Sequence, residues 1–153
     1  MMPLDELDHK IIELLQRDGR SSNIELAKLA GVSEGTIRRR FRSLVDDGVI
    51  HVTALLDPNK IGKPTTALVG LEVDPSRVDP VSNELSALPD VQFAAITTGA
   101  FDIFIWVALR SAQELSLFLR NHVGSIEGVR RTETFVNLSI KKNQSGPRTL
   151  SSS

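Results

Sequence analysis

At 153 residues with a net charge of −1, the chain is long enough for one large domain or two small ones, and its charge argues against indiscriminate nucleic-acid binding. The absence of cysteine rules out a disulfide framework, a thiolate metal site and a cysteine nucleophile. No apolar run approaches the roughly 18 residues of a membrane span, and the acidic start MMPLDELDHK lacks the basic-then-apolar order of a signal peptide. A soluble cytoplasmic protein that works without a cofactor is therefore expected.

Leu7, Ile11, Leu14 and Leu15, with Ile12 at the edge, predict a helix from about Leu4 to Asp18, closed by Gly19. Ser22-Asn23-Ile24-Glu25 has the form of a capping box and opens a short helix, IELAKLA, that ends at Gly31. The turn Gly31-Val32-Ser33 leads into a third helix. Three helices, the last two joined by a short glycine-containing turn, make a helix-turn-helix.

In the third helix Ile37, Phe41 and Leu44 recur at i, i+4 and i+7 and form a buried stripe. At about 100° per residue, Gly35, Arg38, Arg39 and Arg42 then point outward, with Arg40 at the flank. A short arginine run alone is as often a solvated face as a binding one. Here the first 63 residues carry ten Lys/Arg and ten Asp/Glu, yet four of the arginines fall within Arg38–Arg42. Positive charge focused on one helix of a neutral domain suits a directed binding face. Ser33, Gly35, Thr36, Arg38, Arg39, Arg40 and Arg42 are the candidate DNA contacts, and double-stranded DNA is the expected partner.

After Asp46-Asp47-Gly48, the β-branched run VIHVTALLD predicts a strand that forms a wing or leads into a linker. Asp57 to Pro64 gathers turn residues and marks the boundary. The expected division is 1–50 helix-turn-helix, 51–64 strand and linker, 65–142 a second domain and 143–153 a disordered tail.

Thr65–Val73 predicts a strand, and Arg77–Ala87 a helix stopped by Pro89. Val91–Thr98 and Asp102–Leu109 predict a hairpin around Gly99-Ala100-Phe101. Leu115, Phe118, Leu119 and Val123 mark another helix, and Val129–Lys141 a last strand. The order β-α-β-β-α-β is that of a ferredoxin-like domain, so the fold class is α+β. Ile103, Ile105 and Val107 alternate with Phe104, Trp106 and Ala108, giving one strand two apolar faces. A second subunit covering the open face of the sheet is expected, because an exposed apolar sheet aggregates. A two-fold pair would also offer two arginine helices to half-sites about 34 Å apart.

The histidines, His9, His51 and His122, are scattered and form no metal-ligand spacing; His122, four residues after Phe118, is expected to be partly buried. No nucleophile elbow or phosphate loop is present.

LDELDHKIIELLQRDGR, SNIELAKLAGVS, RRRFRSLVDDGVI and TTGAFDIF together resemble the Lrp/AsnC (feast/famine) family of prokaryotic transcriptional regulators. The resemblance covers all but the tail. It implies a homodimer formed by the C-terminal sheets, often assembled into tetramers or octamers, and a small effector, commonly an amino acid, held between subunits. The family's G-x-x-D loop matches Gly99-Ala100-Phe101-Asp102. On the residues alone a plain hairpin turn is the favoured reading, and the resemblance reverses that; as an effector loop, Gly99 admits close backbone approach, free N–H groups receive a carboxylate and Asp102 accepts from an ammonium. Thr98, Gly99, Ala100, Phe101, Asp102, Thr132 and Thr134 are the effector candidates, with Thr97 a further one. Two features depart from the family pattern. Ser33-Glu34-Gly35-Thr36 replaces a Ser-Pro-x-x opening, and the effector loop carries Phe101, with no hydroxyl. The alternatives are a corepressor module whose helix-turn-helix meets protein and an Lrp-like haem-pathway decarboxylase; the arginine helix, which a catalyst has no reason to keep, weighs against the latter.

Overall fold

Caps set the helix starts in the N-terminal half. The computed structural model describes residues 3–142, and the chain divides into two compact units that meet at Ala54/Leu55. In the first unit, helix α1 (Glu6–Arg17) begins later than its apolar pattern suggests, because Asp5 and Asp8 form a reciprocal capping box. Helix α2 (Asn23–Ala30) is capped by Ser22 and Glu25 in the same way, as its sequence predicts. It ends at Gly31, which adopts a left-handed conformation with φ of 73° and so turns the chain into helix α3 (Glu34–Asp46). Ser33 caps α3 by accepting from the Thr36 N–H at 3.2 Å. Ile11, Ile12, Leu26, Ala27, Ile37 and Leu44 form the core, with Phe41 half-buried at the edge of the stripe.

The strand expected over VIHVTALLD is absent. Residues 51–57 are exposed, with Val52, Leu55 and Leu56 at least 63% accessible, and carry no regular structure. A β-branched run needs a ladder partner to be a strand, and none of the described strands pairs with it.

The second unit is a four-stranded antiparallel sheet, ordered β2-β3-β1-β4, with β1 (Thr65–Val73), β2 (Val91–Ile96), β3 (Ile103–Leu109) and β4 (Val129–Val136). Helix α4 (Val78–Ser86) follows a 3-10 turn, Pro75–Arg77, and helix α5 (Ala112–Phe118) runs into a π-helical turn, Leu119–Val123. This is the βαββαβ order and strand sequence of the ferredoxin-like fold. β4 stops at Val136 rather than Lys141. The Asn137 N–H still reaches the Thr66 carbonyl at 2.9 Å, but β1 begins at Thr65, just after Pro64, so the ladder runs out.

Ala67, Val69, Leu71, Ile103, Ile105 and Val107 are all fully buried under Val81, Leu85, Leu115 and Phe118 of the two helices. Their neighbours in sequence project to the other face, where the register sets Leu68 beside Trp106 and Phe135, and Phe93 beside Trp106. Phe93 and Phe135 are 56% and 45% exposed there. The two apolar faces read in β3 are therefore real, and one of them is only partly covered among the described residues.

His122 is exposed, against expectation. The π-helical turn carries an extra residue, so Val123 and not His122 returns above Phe118; the His122 ring leans on Phe118 with centroids 5.7 Å apart. The predicted tail, 143–153, lies outside the described residues. Among these, no helix is long and apolar enough to cross a membrane.

Candidate DNA and effector sites

The outer face of α3 is a shallow groove lined by Gly35, Arg38, Arg39, Arg42, Ser43 and Asp46. Arg38, Arg39 and Arg42 are exposed, as the helical spacing predicts, and Ser33 and Gly35 are exposed at the N-terminal end with Thr36 half-buried. Arg39 and Arg42 have no ion-pair partner among the described residues. An exposed guanidinium fork of this kind can engage two acceptor atoms at once, as on a phosphate or a guanine edge. The C-terminal end of the groove is acidic, at Asp46 and Asp47, so its positive potential is concentrated over the first three turns of α3.

Glu34 is accounted for by a neighbour. It pairs with Arg38 at 3.3 Å across one helical turn, and sits in the first turn of α3 where the helix dipole favours an anion. This pairing leaves Arg38 the least available of the three outward arginines.

Arg40 does not share their face. Its guanidinium turns inward to α1, with Nη2 2.6 Å from Asp5 Oδ2 and Nη1 donating to both Asp8 oxygens at 3.2 and 3.3 Å. Its side chain is 29% exposed. The flank position brings it within reach of the carboxylates at the start of α1, and two acceptors outcompete solvent. Nothing in the spacing of α3 alone reveals this; the acidic cluster at Asp5 and Asp8 was the available signal.

The loop between β2 and β3 is pinned at both ends. The Thr97 N–H donates to the Asp102 carbonyl and the Thr97 hydroxyl to the Phe101 carbonyl, both at 2.8 Å. Asp102 is stapled to β1: its N–H donates to the Leu71 carbonyl at 2.9 Å, and its Oδ2 accepts from the Val73 N–H at 2.8 Å. One carboxylate oxygen is thus already used by the fold. Thr98, Gly99 and Ala100 form the exposed tip, where Gly99 has φ of 120°, a conformation open to glycine and strained for other residues.

Phe101 folds back from this tip onto Gly70 in β1. A Cβ built on Gly70 would lie 2.7 Å from the ring carbon Cγ, and the same ring meets Phe104 edge-on with centroids 5.4 Å apart. Gly70 makes room for a ring of the candidate effector loop, and its place beside that loop is not evident from the spacing of candidate residues. Its signal was a lone glycine inside the apolar strand TTALVGLEV, which marks a close approach of another group.

The effector candidates do not all converge within one chain. Gly70 pairs with Phe104 and Glu133, so Phe101 sits on the open face of the sheet. Thr132 and Thr134 pair with Leu71 and Val69, the helix-covered residues, and so project to the opposite face. There Thr134 lines a groove with Leu115, Ser116, Leu119, Arg120 and Val136.

Titration is perturbed at the helix starts. The Asp8 N–H, then the Arg40 guanidinium, hold the Asp5 carboxyl below the usual carboxylate range. The Ser22 N–H and hydroxyl do the same for Glu25.

Residues 4–51 match the winged helix-turn-helix DNA-binding family, and residues 66–147 the Lrp/AsnC ligand-binding domain. An uncharacterised HTH-type transcriptional regulator of Pyrococcus furiosus is 41% identical over 91% of this chain and 95% of its own length. The HTH-type regulator FL11 of Pyrococcus horikoshii is 36% identical over 92% of this chain and 93% of its own. The structure of AsnC from E. coli superimposes with a TM-score of 0.84 at 30% identity, covering 94% of this chain and 97% of that one. A transcriptional regulator of Neisseria meningitidis, solved as a complex with L-Met, shares the fold with a TM-score of 0.86 at 24% identity, covering 94% and 95%. With a helix-turn-helix whose outer face carries exposed arginines, a ferredoxin-like ligand-binding unit, and relatives of this identity along nearly its whole length, the chain belongs to the Lrp/AsnC family of DNA-binding, effector-responsive transcriptional regulators.

Proposed function

We propose that the protein is a cytoplasmic homodimer that reads a palindromic DNA site through Arg39 and Arg42, with Arg38 and the polar start of α3 at Ser33, Gly35 and Thr36 beside them. The observation that carries this is the pair of exposed guanidinium groups on the outer face of α3 with no ion-pair partner among the described residues, next to an arginine already committed to the fold. The dimer forms through the open face of the sheet, where Phe93, Trp106 and Phe135 present an apolar surface only partly covered by the described residues. Two such dimers or four build the tetramer or octamer.

The effector is an amino acid. Its carboxylate meets the exposed N–H groups of Thr98, Gly99 and Ala100, and its ammonium meets Asp102 through the oxygen that Val73 leaves free. The complex of the Neisseria meningitidis regulator with L-Met supports this class of ligand. Thr132 and Thr134 contribute only from a second subunit, since within one chain they lie on the other face of the sheet. An arginine face kept free for phosphate favours regulation over catalysis.

Two experiments test this reading. The first measures calorimetric binding of the twenty amino acids, one by one, to the full chain. At least one should bind, and Gly99→Val, which cannot hold a φ of 120°, should abolish that binding. Equal binding by the variant, or no binding of any amino acid, contradicts the effector assignment. In the second, Trp106→Asp should convert dimers to monomers in sedimentation, at a cost of about 2 kcal/mol or more for a central aromatic contact. An unchanged sedimentation coefficient contradicts the sheet-face dimer.

A further inference from the structure

We propose that Arg40 is a positioning residue for DNA recognition, fixing the rotation of α3 through Asp5 and Asp8 without touching DNA. Helix α3 also packs on α1 through apolar side chains such as Ile11 and Ile37, and apolar burial has little directional preference. A helix held only that way tolerates small rotations about its axis. A guanidinium fork is planar and directional, and it specifies orientation as well as distance.

Arg40 spans 32 residues of sequence to reach Asp8. Asp8 is 6% exposed, so the pair is shielded from the solvent screening that weakens surface ion pairs. The two carboxylates are themselves fixed, because they form the capping box of α1: each accepts from the other's backbone N–H. One rigid acidic unit therefore both starts α1 and clamps the middle of α3. Arg39 immediately precedes the clamp and Arg42 follows two residues later. Any rotation of α3 at Arg40 is carried directly to the groups that meet DNA, and a site of this kind works only when its contacts are held within about 10–20° of the productive geometry. The buried Nε of Arg40 has no hydrogen-bond partner, so the terminal nitrogens alone make the clamp.

The test uses the full chain and two duplexes of equal length, one selected by the protein from genomic fragments and one of random sequence. Asp8→Asn removes a negative charge from the DNA-binding unit, so electrostatics alone would tighten binding to both duplexes. Positioning predicts the reverse for the selected site: its advantage over the random duplex falls roughly tenfold, the size of losing one base pair's worth of recognition. Simple destabilisation would lower both affinities together and leave their ratio intact. Arg40→Met, which keeps the apolar stem, should lower the same ratio while leaving the salt dependence unchanged.

A fall of about one in the salt slope for Arg40→Met would mark Arg40 as a phosphate contact and overturn the proposal. An unchanged ratio for Asp8→Asn, with helical circular dichroism intact, would overturn it equally. If Asp8→Asn does not fold, Arg40→Met decides alone, and the charge swap Arg40→Asp with Asp8→Arg adds a check: restoration of the ratio supports positioning, since the swapped chain has no cation at position 40. A wild-type protein that selects no duplex would instead count against the reading of the whole chain as a DNA-binding regulator.

Discussion

Among the described residues, the helical unit buries six apolar side chains in its core, closes each helix start with a side-chain cap, and exposes charge; the core cluster of the sheet unit holds fourteen, and one face of its sheet is only partly covered. The first presents a whole candidate site from one chain. The second does not, since Phe101 with its loop and the pair Thr132 and Thr134 stand on opposite faces. The proposed DNA contacts thus all lie on one chain, whereas the proposed effector contacts need a second. Since a ligand shifts only an equilibrium between states it binds unequally, an effector held between subunits acts naturally on how those subunits meet.

The contrast in core size is the easiest to break. Ile37→Ala opens a cavity under α3 at a cost of about 2–5 kcal/mol, as much as so small a core supplies. We expect the helical unit to lose its cooperative transition in calorimetry while the sheet unit keeps its own. A single transition shifted as one would show that the two units do not melt independently.

The next largest effect is on DNA. Arg39→Ala and Arg42→Ala should each cost about 1–3 kcal/mol in binding the selected site if they read guanine, or reduce the salt slope by about one if they hold phosphate. Arg38→Ala should cost less, because Glu34 already engages Arg38. Band shifts over a range of salt separate these outcomes.

Gly70→Ala sharpens the sheet side. A methyl group 2.7 Å from the Phe101 ring forces the ring off the strand, at about 1–3 kcal/mol of stability. Phe101→Ala in the same chain should recover most of the loss in thermal melts. No recovery would mean that the glycine serves the strand itself.

The smallest effect is on acid stability. Asp5 and Glu25 titrate below their ordinary range when folded. Their stabilisation is complete above about pH 4.5 and is lost as pH falls through the lowered values, because the unfolded chain then binds more protons. Asp5→Asn should flatten that acid limb in circular dichroism, where a plain surface carboxylate would not.

The same contrast explains what could be read from the sequence. Helix periods, caps and the βαββαβ order are local patterns, and they place α1, α2, α3 and the sheet with only end shifts. The segment 49–57 failed because a strand is a pairing, and its composition says nothing of whether a partner exists. Arg40 was assigned to the DNA face because helical spacing gives direction only to within a flank; the acceptors that claim it lie 32 and 35 positions earlier in the chain. Asp102 carried the correct position in a loop but not its staple to Val73, and Gly70 needed a partner ring to show its purpose. Long-range polar contacts were the part the sequence hid.

Whether the outward arginines of α3 read a specific DNA sequence is decided by selecting genomic fragments with the purified full chain, with Arg39→Ala/Arg42→Ala run in parallel. The natural chain should enrich a discrete palindrome with half-sites about one helical turn apart, and the double variant should enrich none while keeping its oligomeric state. Enrichment of the same palindrome by the double variant, or no discrete site for the natural chain, would contradict that role for the arginines.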